Sequence, residues 1–209
     1  MTDFFTNLIA ASKKDDFADV MERWMNTGVF KFVLPEVHEM TKCKQPKQWH
    51  PEGDTVWDHV LCAIRNVDLS EFDEADHWLI RLSIFFHDIG KPKAMSVTDE
   101  GVYRYLGHDA AGLGVFEKIC ERHNVTDQEL IENIKFPIKN HMKLHLFDRM
   151  KQKKIDALVQ HEKWPLLKSV GKADIFARKY DESGKQSHIN CEEEYSWLAK
   201  YPHKEENNG

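Results

Sequence analysis

With 209 residues, 41% of them hydrophobic and 31% charged, the chain has the length and composition of one well-buried globular domain. No apolar run approaches the roughly 20 residues of a membrane span, and the start, Met1-Thr-Asp-Phe-Phe, has neither the basic region nor the small-residue cleavage site of a signal peptide. A net charge of −6 excludes nonspecific grip on long duplex nucleic acid, while Cys43, Cys62, Cys120 and Cys191, with no Cys-x-x-Cys pair, read as reduced thiols of a cytoplasmic protein.

In chain order, Phe17, Val20, Met21, Trp24 and Met25 have helical spacing over Asp15 to Met25, and Gly28 closes that helix. A short helix is expected over Pro35 to Met40, then a polar loop from Lys42 to Gly53. Asp54 or Thr55 is placed to cap a helix running to about Val67, with Trp57, Val60, Leu61 and Ile64 inward. The stretch from Glu74 to Phe86 is the central apolar helix. It ends in the adjacent pair His87-Asp88, and Gly90 and Pro92 read as its stop. Residues 94–105 read as one small β-hairpin over Thr98-Asp-Glu-Gly101. Helices resume at Asp109 to His123 and at Thr126 to about His145. There Thr126 and Glu129 fit a capping box, and Pro137 is expected to kink the helix or begin a new one. A basic run, Arg149-Met-Lys-Gln-Lys-Lys154, precedes a helix through Leu158; it reads as a solvated face, with an RNA end as the alternative partner. Helices over Pro165 to Tyr180 and Glu192 to Leu198 lead to a polar tail, Lys204 to Gly209. The expected fold is all-α, a single helical bundle with one small hairpin. Segment 1–29 is an N-terminal helical extension, 30–182 the main domain, and 183–209 a C-terminal helix and tail.

A His-Asp pair offered at the end of a buried helix suggests a metal, provided partners exist. His59 lies mid-helix among apolar residues, Asp174 inside another apolar helix, and His108 at a helix start after Gly107. His141 and His145, four apart, share a helix face. Taken singly, each has a plainer reading. His59 fits a satisfied core residue, Asp174 a partner of Arg178, His108 a cap, and His145 a solvent-facing side chain. His38, His77, His123, His161, His188 and His203 read as surface. Ionisable groups aimed into helix interfaces are costly unless paired or bound, and a metal accounts for several at once.

The order His…His-Asp…His…His…Asp resembles the HD phosphohydrolase superfamily. More narrowly, the chain is similar to the C-terminal HD domain of bacterial CCA-adding tRNA nucleotidyltransferases. The similarity runs over roughly residues 30–180, through Trp49-His-Pro-Glu-Gly-Asp54, Trp57-x-His59, His87-Asp-Ile-Gly-Lys91, Gly107-His108, His141-x-x-x-His145 and Ala173-Asp174…Arg178. The resemblance implies His59, His87, Asp88 and Asp174 as ligands of a first metal, and His108 and His141 for a second ion, with Asp88 as bridge. It implies Asp88, Lys91, His50 and Glu52 as catalytic residues, and Lys91, His50, Asp54 and Arg178 as substrate contacts. Where those enzymes usually carry His-His-Gly-His, this chain has Tyr105-Leu-Gly-His108. With only about 30 residues ahead of the similarity, no nucleotidyltransferase domain is expected and CCA addition is not implied. Lys91 and Pro92 replace the Glu-Asp of guanosine-tetraphosphate hydrolases, which disfavours that branch.

Nitrogen and oxygen ligands without thiolate suit Mn, Ni, Co, Fe or Zn, and Mg less well, as one or two ions. The implied activity is metal-dependent hydrolysis of nucleotide or RNA-end phosphoesters: 2′,3′-cyclic phosphodiesters, 2′-nucleotides or phosphomonoesters. Metal-activated water would attack phosphorus, and His50 or Glu52 would protonate the leaving alkoxide. Two readings stay open beside it. The same ligand order serves a mixed-valent di-iron oxygenase, and a non-catalytic nucleotide- or RNA-binding module with a structural metal is the other alternative.

Overall fold

Phe85 and Phe86, at the end of the central helix, are fully buried, and the rest of the chain packs around them. In the computed structural model, residues 4–201 are described. The chain opens with α1 (Phe4–Ser12) and α2 (Phe17–Asn26); α5 (Val56–Arg65) and the central helix α6 (Glu74–Phe86) lie beneath them. Phe5 stacks on Phe86 at 6.2 Å between ring centroids, and Phe17 meets Phe85 edge-on at 6.1 Å. The N-terminal helices therefore share the main core. Between them and α5 come α3 (Val29–Val33), entered from Gly28 in the left-handed region at φ 78°, and α4 (Pro35–Glu39). A polar loop then leads to Thr55. Its hydroxyl accepts from the Asp58 amide while the Asp58 carboxylate accepts from the Thr55 amide, a reciprocal cap that fixes the start of α5.

The fold is an all-α bundle with one small hairpin. After α6 and a tight turn, Pro92 does not stop the helical chain as expected. It stands in the first turn of α7 (Lys91–Ala94), where a missing N–H costs nothing and a fixed φ helps. The hairpin pairs β1 (Ser96–Val97) with β2 (Tyr103–Arg104), Ser96 opposite Arg104 and Val97 opposite Tyr103. Then come α8 (His108–Arg122) and α9 (Gln128–Leu144). The cap of α9 is Asp127, whose carboxylate accepts from the Leu130 amide; the expected Thr126–Glu129 box does not form. Pro137 lies inside α9, which continues through it. Last are α10 (Gln152–Val159), α11 (Trp164–Ala177) and α12 (Cys191–Ala199). A second apolar cluster, including Leu144, Phe147, Trp164, Ile175 and Leu198, joins the end of α9 to α11 and α12.

Two glycines set the approach of α8 to the turn after α6. A Cβ on Gly90 would lie 2.0 Å from the His108 carbonyl oxygen and 2.4 Å from the Gly112 amide nitrogen. No side chain fits between those backbones. The four cysteines are unpaired, and burial pushes each thiol up to about 11. Among the described residues no helix is long and apolar enough to cross a membrane. The expected tail, Lys204 to Gly209, lies outside the described residues.

Candidate metal centre

Four buried histidines converge from four elements: His59 from mid-α5, His87 just past α6, His108 at the start of α8 and His141 near the end of α9. Neighbouring rings stand at centroid distances of 5.6 Å (His59–His87), 5.3 Å (His87–His141) and 5.1 Å (His108–His141). Each ring is held from behind through Nδ1. His87 Nδ1 donates to the Ile84 carbonyl at 2.6 Å, His108 Nδ1 to Tyr105 at 2.8 Å and His141 Nδ1 to Ile138 at 3.0 Å. His59 Nδ1 donates to the Glu52 carboxylate at 2.6 Å. With Nδ1 so engaged, every Nε2 faces inward, where its lone pair can be offered to a metal once it carries no proton, the arrangement in which histidine ligates metals.

Asp88 sits between these lone pairs. Its Oδ2 is 3.4 Å from His87 Nε2, and its Oδ1 is 3.3 Å from His108 Nε2 and 3.6 Å from His141 Nε2. Two triplets result, His59–His87–Asp88 and Asp88–His108–His141, each with ligand atoms within 4.8 Å of one another. Burial raises the Asp88 carboxyl, but Lys91 and the histidines outweigh it and hold the group well below the usual carboxylate range. His87 Nε2 is buried without a hydrogen bond, and His108 Nε2 faces His141 Nε2 at 3.0 Å. Buried nitrogens and oxygens crowded this closely are stabilised by a proton or a metal cation shared between them. These buried groups can hold a metal ion, and the donor set fits one.

Asp174, expected as a fourth ligand of the first ion, belongs to neither triplet. Its Oδ1 lies 3.0 Å from His59 Nε2, and its Oδ2 accepts from His145 Nε2 at 2.8 Å. It is not the ion-pair partner of Arg178. The Arg178 guanidinium donates instead to Glu194 Oε2 at 2.7 Å, and Glu194 Oε1 accepts from His145 Nδ1 at 2.8 Å. His145 is thus not the solvent-facing side chain its spacing permitted, but a partly buried link between α11 and α12. Burial lowers the His59 and His145 imidazoles, yet the carboxylates around them outweigh it and raise both to about 9. That pull on a proton is the pull a divalent cation would feel.

Two residues expected to be catalytic have shifted protonation in the metal-free fold. Glu52 is buried behind His59, its Oε1 shared between His59 Nδ1 and His50 Nδ1 at 3.0 Å. Burial raises its carboxyl, but the two imidazoles bring it down to about 2, so it holds no proton to give a leaving group. Burial also pushes His50 down to about 4, which leaves it neutral and a proton acceptor rather than a donor. Asp54, expected as a substrate contact, does not line the cavity. It is exposed and pairs with Lys47 at 3.0 Å, because the turn after Gly53 points it outward from α5.

A cavity of about 520 Å³ adjoins the cluster; Asp88, His108, His141, Lys91, His50 and Arg178 are on its wall. Lys91 Nζ lies 2.6 Å from Asp88 Oδ2, donates to Gln45 Oε1 at 2.9 Å and sits 5.8 Å from the centre of the Tyr105 ring. Trp49 and Leu106, at 59% and 83% exposure, form its apolar lip together with Met142. The residues that sequence reasoning missed are Gln45, His145 as a link, and Glu194. Only His145 carried a signal, its spacing of four from His141.

No family model matches the chain. It is similar to the multifunctional CCA protein of Shewanella denitrificans, 34% identical over 98 residues, which is 47% of this chain and 22% of that relative. The multifunctional CCA protein of Vibrio cholerae is 33% identical over 102 residues, 48% of this chain and 23% of the relative. That of Vibrio campbellii is 30% identical over 121 residues, 57% of this chain and 27% of the relative. The matched region spans about a quarter of the length of these curated relatives. The chain contains a region related to multifunctional CCA proteins.

Proposed function

We propose that the chain is a metal-dependent phosphohydrolase acting on nucleotide or RNA-end phosphoesters, namely 2′,3′-cyclic phosphodiesters, 2′-nucleotides or phosphomonoesters. The observation that carries this reading is the pair of buried triplets sharing Asp88, beside a cavity whose wall carries the cationic groups of Lys91 and Arg178. His59, His87 and Asp88, with Asp174 beside His59, would hold one ion; Asp88, His108 and His141 would hold a second. When bound, such ions supply Lewis acidity toward a phosphoryl oxygen and a lower pKa for water. The all-nitrogen-and-oxygen donor set suits Mn, Ni, Co, Fe or Zn ahead of Mg.

The chain's own residues supply the rest. Lys91, braced by Gln45 and Asp88, sets positive charge on the wall where an anionic ester would lie, and Arg178 adds a second charge at the Asp174 end. Such fixed charges in a partly dry site stabilise developing negative charge without having to reorganise. His50 keeps its Nδ1 proton on Glu52 and offers Nε2 as a proton acceptor. Trp49, Tyr105 and Leu106 offer apolar faces of the size a nucleobase covers, which favours a nucleotide over a bare phosphate ester. The likeness to multifunctional CCA proteins supports an RNA end among the candidates.

The test is a hydrolysis screen on metal-stripped protein reloaded separately with Mn, Ni, Co, Fe, Mg or Zn. Substrates are p-nitrophenyl phosphate, its bis ester, 2′,3′-cyclic AMP and 2′-AMP. Metal-dependent turnover that disappears in His87→Ala is the expected result and ranks the substrates. Silence across the panel with metal bound would sink the hydrolase; oxygen consumption by the iron-loaded protein would then identify an oxygenase.

A further inference from the structure

We propose that a second groove, on the far side of α9 from the histidine cluster, binds a segment of single-stranded nucleic acid. It has a volume of about 940 Å³, lies among α8, α9 and α10, and shares no lining residue with the cavity beside the histidines. At about 100° per residue, Lys139 and Lys143 project from α9 nearly opposite to His141. The inference stands apart from the hydrolase reading.

Lys135, Lys139 and Lys143 form one stripe of α9, one residue per turn and about 6 Å apart along the axis. The stripe is not uniform. Lys135 is already neutralised, 2.8 Å from Glu117 and 3.1 Å from Glu132. Lys163, also on the groove wall, bonds Asn133 at 2.7 Å and lies 3.3 Å from Glu162. At the other end the pattern reverses. Lys139, Lys143 and Lys154 are exposed and have no ion-pair partner among the described residues; Lys143 donates only to Asn140 Oδ1. Lys154 closes the basic run that starts at Arg149, so the run's positive field reaches the groove where Met150 and Lys154 enter it. Three like charges gathered in a concavity favour a multiply charged anion, even on a chain with net charge −6.

A second feature narrows the anion. Phe136 and His161 line the same groove and stack with ring centroids 4.1 Å apart and planes 26° apart. The Lys163 amide donates to His161 Nδ1 at 3.1 Å, which fixes this exposed ring. Spaced cations beside a preset aromatic face are what a strand with unstacked bases needs: phosphates on the lysines, a base on the ring. A duplex keeps its bases stacked inside and makes no use of that face.

The experiment is fluorescence anisotropy with a fluorescein-labelled RNA strand of about 12 nucleotides, the DNA strand of the same sequence, and the duplex, each titrated with the full chain. Single strands should bind at low salt, and log K should fall against log salt with a slope near −2, about −0.7 for each of three phosphate contacts. Lys139→Glu combined with Lys154→Glu should weaken binding about tenfold or more and make that slope shallower by about 1.4. His161→Ala should weaken it about fivefold or more and leave the slope unchanged. Metal content and melting temperature should match the wild type in both variants, since all three side chains are exposed. Tight binding of RNA alone, or of RNA and DNA alike, supports the groove and identifies which strand it takes. No binding at low salt, duplex binding as tight as single-strand binding, or a charge-reversed variant that binds like the wild type would each overturn it.

Discussion

The Asp88 end and the Asp174 end of the histidine cluster are held in place by different means. At the Asp88 end, His87, His108 and His141 each rest on a backbone carbonyl three residues earlier in the chain. At the Asp174 end every link is a side chain: Glu52 behind His59, His145 against Asp174, Glu194 across His145 and Arg178. A backbone brace comes with the local fold and has no rotamer of its own to lose. A side-chain brace adds rotatable bonds and depends on segments that meet only once the core has closed. The first kind of end is stiff and local, the second softer and assembled.

Mutations separate the two ends. The largest effect is expected from Asp88→Ala, which removes the carboxylate common to both triplets; metal content by mass spectrometry and hydrolysis of the bis ester should vanish together, and full activity would refute the site. Next is Gly90→Ala. The new Cβ meets backbone atoms that cannot rotate away, and overpacking of this kind costs about 3 kcal/mol, read as a lowered melting temperature. Glu52→Gln keeps the shape of the brace behind His59 and removes its charge, so metal affinity by calorimetry should fall about 10- to 100-fold. Glu194→Gln acts one link further out and should cost about tenfold or less. A loss as large as that of Glu52→Gln would mean that the outer link of the assembled end holds the cluster as firmly as the inner one.

The smallest signal is protonic. His59 and His145, raised to about 9 from an ordinary 6.5, carry protons at pH 7 when no metal is bound. A group raised in the folded state contributes its stability fully below its unfolded value and loses it as pH climbs through the folded one. The melting temperature of the metal-stripped protein should therefore fall between about pH 6.5 and 9. Metal binding at pH 7 should release about one proton or more, seen as a dependence of the binding heat on buffer ionisation enthalpy. Glu52, Asp88 and Asp174, all lowered, contribute a constant amount across that range and leave the slope to the histidines.

The same contrast explains what could be read from the sequence. The helices that carry the clustered residues follow from apolar spacing: His59, His108 and His141 lie in helices, and His87 and Asp88 just past the end of one. The hairpin followed from its turn residues, and the structure puts it within the expected stretch. Helix ends slipped where two caps competed, as at Thr126 against Asp127. Pro92 was misread because proline breaks a helix in its interior but serves one in its first turn. Helix α1 had no expectation of its own, since nine residues with Phe4, Phe5, Leu8 and Ile9 become a helix by docking on α6 rather than by propensity. The roles of Glu52, Gln45 and Glu194 were out of reach, because a polar residue in a loop or on a terminal helix gives no local sign of the distant side chain it will meet.

The ligand atoms are drawn from α5, the turn after α6, α8 and α9, with Asp174 on α11, so the cluster joins segments that are far apart along the chain. An ion bound by those atoms would act as a cross-link with several arms, closing loops that an unfolded chain must otherwise close at an entropic cost. Four thiols held near 11 by burial leave the imidazoles and carboxylates as the donors for that link at neutral pH. Catalysis and cohesion would then depend on the same few atoms, and a chelator would be felt as a mechanical loosening of the bundle as well as a loss of turnover.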